Sequence, residues 1–116
     1  MVDDDPDQIE LAKAVLETDE DEVEGFLDPF SALTAALDRE PDLVIVDQMM
    51  PFMEGTELIR EMRKAGVRAK FIVLSGFSKC LSHPRLRQSG VFRCLTKPVE
   101  FALLSETVHN ALHPAV

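Results

Sequence analysis

Two hydrophobic patterns alternate along this chain. Ile9, Ala12 and Leu16, with Leu11 and Val15, recur at helical spacing and predict a helix over Asp7–Glu17, with Pro6 suited to its first turn. Leu43-Val44-Ile45-Val46 is instead a continuous apolar run that stops at Asp47, the pattern of a strand buried on both faces of a parallel sheet. Phe71–Leu74, ending at Ser75, repeats that pattern, and so does Val91–Leu95, which leads into Thr96-Lys97-Pro98. Between the runs lie a helix over Ser31–Arg39 and another carrying Leu58, Ile59, Met62 and Ala65, closed by Gly66. A weak helix within Ser82–Ser89 and a last one with Phe101, Leu104, Val108 and Ala111 on one face complete the series. Glu22–Phe26 reads as a short strand, and Val2 as the end of a first one.

Strands alternating with helices at this pitch predict a parallel sheet with helices on both faces and right-handed crossovers. Sites in such sheets lie at the carboxyl ends of the strands. With 116 residues, 46% of them apolar, the chain supports one core, read as a single domain over residues 1–116. No repeat, low-complexity tract or long linker marks a second module.

Charge narrows the partners. There are 21 acidic residues against 12 basic ones, a net charge of -9, which disfavours direct binding to nucleic acid or to an anionic membrane surface. No apolar stretch approaches the roughly 20 residues that span a bilayer, and the N-terminus lacks the pattern of a signal peptide. Cys80 and Cys94 have neither metal-ligand spacing nor the numbers for a disulfide framework, so a reducing cytoplasm is the expected location.

The candidate chemistry comes from the strand ends. Asp47, Ser75 and Lys97 end three predicted strands, and Asp3, Asp4 and Asp5 follow Val2. Crowded carboxylates repel one another unless some are protonated or a hard cation is shared, and Mg²⁺ is the usual solution. Lys97 offers a compact positive charge to a phosphoryl oxygen, the Ser75 hydroxyl a donor, and Asp47 a nucleophile. Alone, each is more often a helix cap, a turn or a solvated side chain. Their joint placement at strand ends is what carries weight.

The chain resembles the receiver domain family of two-component response regulators over essentially its whole length. The matching segments are Val2-Asp3-Asp4-Asp5-Pro6, Pro41 to Pro51 around Asp47, Gly55, Leu74-Ser75-Gly76 and Leu95-Thr96-Lys97-Pro98, in the same order and at the same separations. The resemblance implies a flavodoxin-like α/β three-layer sandwich, with a five-stranded parallel sheet in the order 2-1-3-4-5. It also implies phosphotransfer to Asp47 from a sensor histidine kinase or a phosphotransfer protein, and a downstream target that the sequence does not identify. Mg²⁺ would be held by Asp47, by Asp4 directly, by Asp3 through water and by the backbone carbonyl of Met49. Ser75 and Lys97 would contact the phosphoryl group. Such a domain has intrinsic phosphotransfer and autophosphatase chemistry without being an enzyme for a separate substrate. Asp5 matches no ligand of the family and reads as an acidic residue favoured at a helix N-terminus.

Two positions depart from the family. The aromatic residue expected three places before the lysine is Cys94, and Phe92, on the same face of an ideal strand, is either a partial substitute or core. The dephosphorylation-tuning positions, two after the acceptor and two after the hydroxyl residue, are Met49 and Phe77; both are apolar, which predicts a long-lived phosphoform. The alternative reading is a receiver-like interaction module that works without phosphorylation. A phosphatase of the haloacid dehalogenase type would need a second acid where Met49 stands, and no glycine-rich loop supports a nucleotide or flavin site.

The start also departs from the pattern. Met1 and Val2 alone precede the acidic triplet, whereas a strand usually has about five residues. A first strand this short predicts unpaired backbone in its neighbours. Completion by residues upstream of Met1 is the simpler remedy, and a strand lent by a second copy, giving a dimer, is the other.

Overall fold

A computed structural model describes residues 1–76 and 90–114. Helix α1 (Pro6–Leu16) opens on Asp5, whose carboxylate accepts the Asp7 N–H, and Pro6 fills the first helical position, where no N–H is needed. Helix α2 (Pro29–Arg39) is built the same way: Asp28 accepts the Ser31 N–H and hydroxyl, each at 2.8 Å. These hydrogen bonds hold the exposed Asp28 carboxyl below its ordinary pKa. Strand β1 (Leu43–Asp47), helix α3 (Gly55–Lys64), strand β2 (Lys70–Ser75), strand β3 (Arg93–Thr96) and helix α4 (Phe101–Leu112) come next. Gly66, at φ 96°, turns the chain out of α3 where a side chain would be strained. The weak helix expected within Ser82–Ser89 lies outside the described residues.

The three strands are parallel in the order β1-β2-β3, with Asp47 opposite Leu74 and Ser75 opposite Thr96. The two expected strands near the N-terminus are reduced to single bridges. Val2 N–H donates to Ile45 O at 2.8 Å, and Asp47 N–H to Val2 O at 3.0 Å. On the other side Phe26 N–H donates to Met1 O, Asp3 N–H to Phe26 O, and the Met1 amino group to Glu24 O. The order 2-1-3-4-5 therefore stands, while the expected strand over Glu22–Phe26 contracts to Phe26 because Met1 and Val2 give it nothing longer to pair with. Burial, with Lys13 adding to it, lowers the Met1 amino group to a pKa of about 6.

Apolar side chains pack on both faces of the sheet. Ala32, Ala36, Leu58, Ile59 and Met62 meet Val2, Val44, Val46, Phe71 and Val73 on the α2–α3 side. Ala12, Leu16, Leu104 and Val108 meet Ile45, Ile72, Leu74 and Leu95 on the α1–α4 side. Alternation along β1 sends Ile45 to one face and Val44 and Val46 to the other, which is why the run is apolar throughout. No helix among the described residues is long and apolar enough to cross a membrane.

Candidate functional site

The carboxyl end of β1 delivers Asp47, buried at 5% exposure. The bridge at Val2 sets Asp3 beside it, 1% exposed, and Asp4 follows on the surface. One carboxylate oxygen from each of Asp3, Asp4 and Asp47 lies within 4.8 Å of the others. Lys97, one residue past β3, reaches across with Nζ 3.1 Å from Asp47 Oδ2 and 3.5 Å from Asp3 Oδ2. Its position derives from the sheet, since Lys97 N–H donates to Ser75 O at 2.7 Å.

The electrostatics are those of excess negative charge in a sheltered place. Burial pushes the Asp3 carboxyl above its ordinary pKa, although the Asp5 N–H at 2.9 Å and Lys97 pull the other way. For Lys97, burial alone would lower the pKa, but the hydrogen bond and charge of Asp47, followed by Asp3, outweigh it and raise the pKa. Asp5 belongs to the helix cap and stays outside the cluster.

Ser75 ends β2, buried, and its hydroxyl donates a long 3.4 Å bond to Gly76 O among the described residues. Met49 is 72% exposed, and its N–H donates to Asp47 Oδ1 at 3.3 Å. Phe77 lies outside the described residues.

A profile of the response regulator receiver domain matches residues 1–109. The chain belongs to the response regulator receiver domain family. This receiver is 33% identical over 121 residues to the transcriptional regulatory protein GlrR of Escherichia coli, covering 97% of the chain and 25% of that protein. It is 37% identical over 76 residues to the sensor kinase CckA of Brucella abortus, covering 66% of the chain but only 8% of the kinase. The receiver thus spans a quarter or less of the length of these two relatives. Among solved structures it is similar to the NtrX receiver domain of Brucella abortus, at 26% identity and TM-score 0.85, covering 98% of this chain and 97% of that one. A receiver domain protein from Clostridium thermocellum superposes with TM-score 0.84 at 28% identity, over 96% and 90% of the two chains.

Three features of this receiver were not legible in the motif. Gln48, directly after Asp47, is buried, and its Oε1 accepts the Thr56 N–H at 3.0 Å while Nε2 lies 3.3 Å from Thr56 Oγ1. Gly55 N–H donates to Gln48 O, and a Cβ on Gly55 would come within 2.8 Å of Asp47 O, so only glycine lets α3 start this close to the acceptor strand. A polar residue after the strand and Gly55-Thr56 further on was the available signal. Second, Phe92 does not share a face with Cys94: it precedes β3, packs on the α1–α4 side and lies under the Lys70 and Arg93 cations, whereas Cys94 packs on the α2–α3 side. Strand alternation does not extend to a residue outside the strand, and Phe92 packs half-buried against the α1–α4 core. Third, Cys94 is disulfide-bonded. Spacing along a chain does not report which Cα atoms the fold brings together.

Proposed function

We propose that this receiver is the phosphoacceptor switch of a two-component pathway, taking a phosphoryl group on Asp47 from a sensor histidine kinase or a phosphotransfer protein. The observation that carries the reading is the Lys97 ammonium 3.1 Å from Asp47, beside two further carboxylates from a separate strand end. An Asp47 oxygen attacks the phosphorus of a phosphohistidine, the O–P bond forms as the N–P bond breaks, and the imidazole leaves. Lys97 then has a new anion within reach, and a shift from the Asp47 carboxylate to a phosphoryl oxygen is the natural response. The Ser75 hydroxyl, whose present bond is weak, donates to another phosphoryl oxygen.

The donor set fits Mg²⁺. Asp3, Asp4 and Asp47 are hard oxygen ligands, one of them on the surface where waters complete a shell, and burial of Asp3 leaves negative charge for a cation to neutralise. Asp4 and Asp47 are the direct ligands in this reading, Asp3 acts through water, and the Met49 carbonyl contributes. The ion supplies charge neutralisation at the phosphoryl oxygens when bound.

Acetyl phosphate with Mg²⁺ tests the proposal by intact-mass spectrometry. A single phosphoryl adduct is expected, absent in Asp47→Asn. An adduct at full yield on that variant removes Asp47 from the role, and no adduct on the unaltered chain favours the phosphorylation-independent module.

A further inference from the structure

The end of α4 carries two of the chain's three histidines, His109 and His113, four residues apart. That spacing puts both on one stripe of a helix. The turn between them is closed, since His113 N–H donates to His109 O at 2.8 Å. The two imidazole rings lie side by side in solvent, with centroids 4.9 Å apart and planes inclined by 38°. Neither ring makes a hydrogen bond or an ion pair with another described residue. Leu104, Val108 and Ala111 bury the other side of α4, so the rings take no part in packing the core.

We propose that His109 and His113 form a two-histidine clamp for a borderline divalent transition-metal ion such as Zn²⁺ or Ni²⁺, a site separate from the carboxylates around Asp47. Spacing carries the argument. A metal about 2.0–2.1 Å from one nitrogen of each ring lies roughly 3.2 Å from each centroid. Ligands about 90–110° apart around the metal then set the centroids roughly 4.5–5.2 Å apart, and the observed 4.9 Å falls inside that interval. The closed turn fixes both Cα atoms, so the second imidazole stands at high effective concentration once the first has bound.

Donor chemistry keeps the two sites apart. Imidazole nitrogen suits Zn²⁺, Ni²⁺ and Cu²⁺, whereas the oxygen set of Asp3, Asp4 and Asp47 suits Mg²⁺. The electrostatic setting favours a cation, because the last carbonyls of α4 present the negative end of its dipole and the chain carries a net charge of -9. A concavity of about 500 Å³ adjoins His113 and is shared with Asp21 and Asp42, which leaves room for the waters that complete a coordination shell. Of the two cations on its wall, Arg68 and Lys70, the second is bonded to Ala111 O at 2.8 Å. Each ring gives one nitrogen lone pair as the neutral imidazole, water fills the other positions, and the bound ion staples the closing turn of α4.

Isothermal titration of the intact chain with Zn²⁺, and separately with Ni²⁺, tests the clamp, with Tm read in parallel. Mg²⁺ in large excess is kept present to compete at the carboxylates. One ion per chain, a raised Tm and joint shifts of the His109 and His113 imidazole resonances on adding Zn²⁺ are expected. His109→Ala and His113→Ala should each weaken binding about tenfold or more, because one imidazole alone lacks the chelate, and should remove the rise in Tm. Both side chains are exposed, so both variants should keep the fold of the metal-free protein. His83→Ala should bind like the unaltered chain. Undiminished binding by either α4 variant would overturn the proposal, as would loss of binding in His83→Ala. A response that appears only without Mg²⁺ would assign the ion to the carboxylates and overturn it too. So would one ion per two chains with Zn²⁺-dependent dimerisation, which would make the site a bridge between copies rather than a clamp within one.

Discussion

Replacing Lys97 by methionine removes a charge while keeping the length of the side chain, so the loss is electrostatic and its size can be worked from two distances. At an effective dielectric constant of about 20, Nζ attracts Asp47 Oδ2 at 3.1 Å and Asp3 Oδ2 at 3.5 Å by roughly 5 kcal/mol each before desolvation is counted. Deleting one partner of a buried pair costs about 3–5 kcal/mol, because it leaves charge without compensation. With the Lys97 side chain 32% exposed, solvent screening reduces that range to about 2 kcal/mol. In metal-free buffer at pH 7, Lys97→Met should therefore lose about 2 kcal/mol of stability by urea denaturation, with an unchanged m-value. Saturating Mg²⁺ should recover most of the loss, since a dication at the carboxylates relieves the repulsion that Lys97 had balanced. Lower pH should also shrink the gap, by protonating Asp3. An equal deficit with and without Mg²⁺ would show that Lys97 acts through packing of its alkyl chain and would refute the electrostatic account.

Three further outcomes are expected. The Asp3 pKa is raised on folding, so its linked stability is fully present below the unfolded value and is lost as pH climbs through the folded one; metal-free protein should weaken over that interval, and Asp3→Asn should flatten the profile of unfolding midpoint against pH. Gln48→Leu strands the buried Thr56 N–H and should cost about 1–3 kcal/mol in chemical denaturation; no loss would show that the latch is idle. For the phosphoform, the apolar Met49 side chain offers no hydrogen bond to a hydrolytic water, so decay of the phosphorylated protein tracked by mass should be slow and should quicken in Met49→Asn; an unaltered chain that decays faster than the variant contradicts this.

The local pattern alone determined much of the architecture. Apolar runs buried on both faces require a parallel sheet, so β1, β2 and β3 were legible to within a residue or two, and Asp5 and Gly66 mark element ends through a bond and a φ angle that are local by nature. Because such strands end together at one edge of the sheet, the positions of Asp47, Ser75 and Lys97 at the carboxyl end were legible as well. Only the tertiary structure decided what depends on distance between remote segments. Lys97 lies 94 residues from Asp3, and nothing in the spacing tells that its ammonium bridges Asp3 and Asp47. The face chosen by Phe92, the bonded state of Cys94 and the latch between Gln48 and Thr56 are of the same kind. Each arises where separate elements meet, and a one-dimensional pattern records the preference of a residue for burial but not the partner that burial brings.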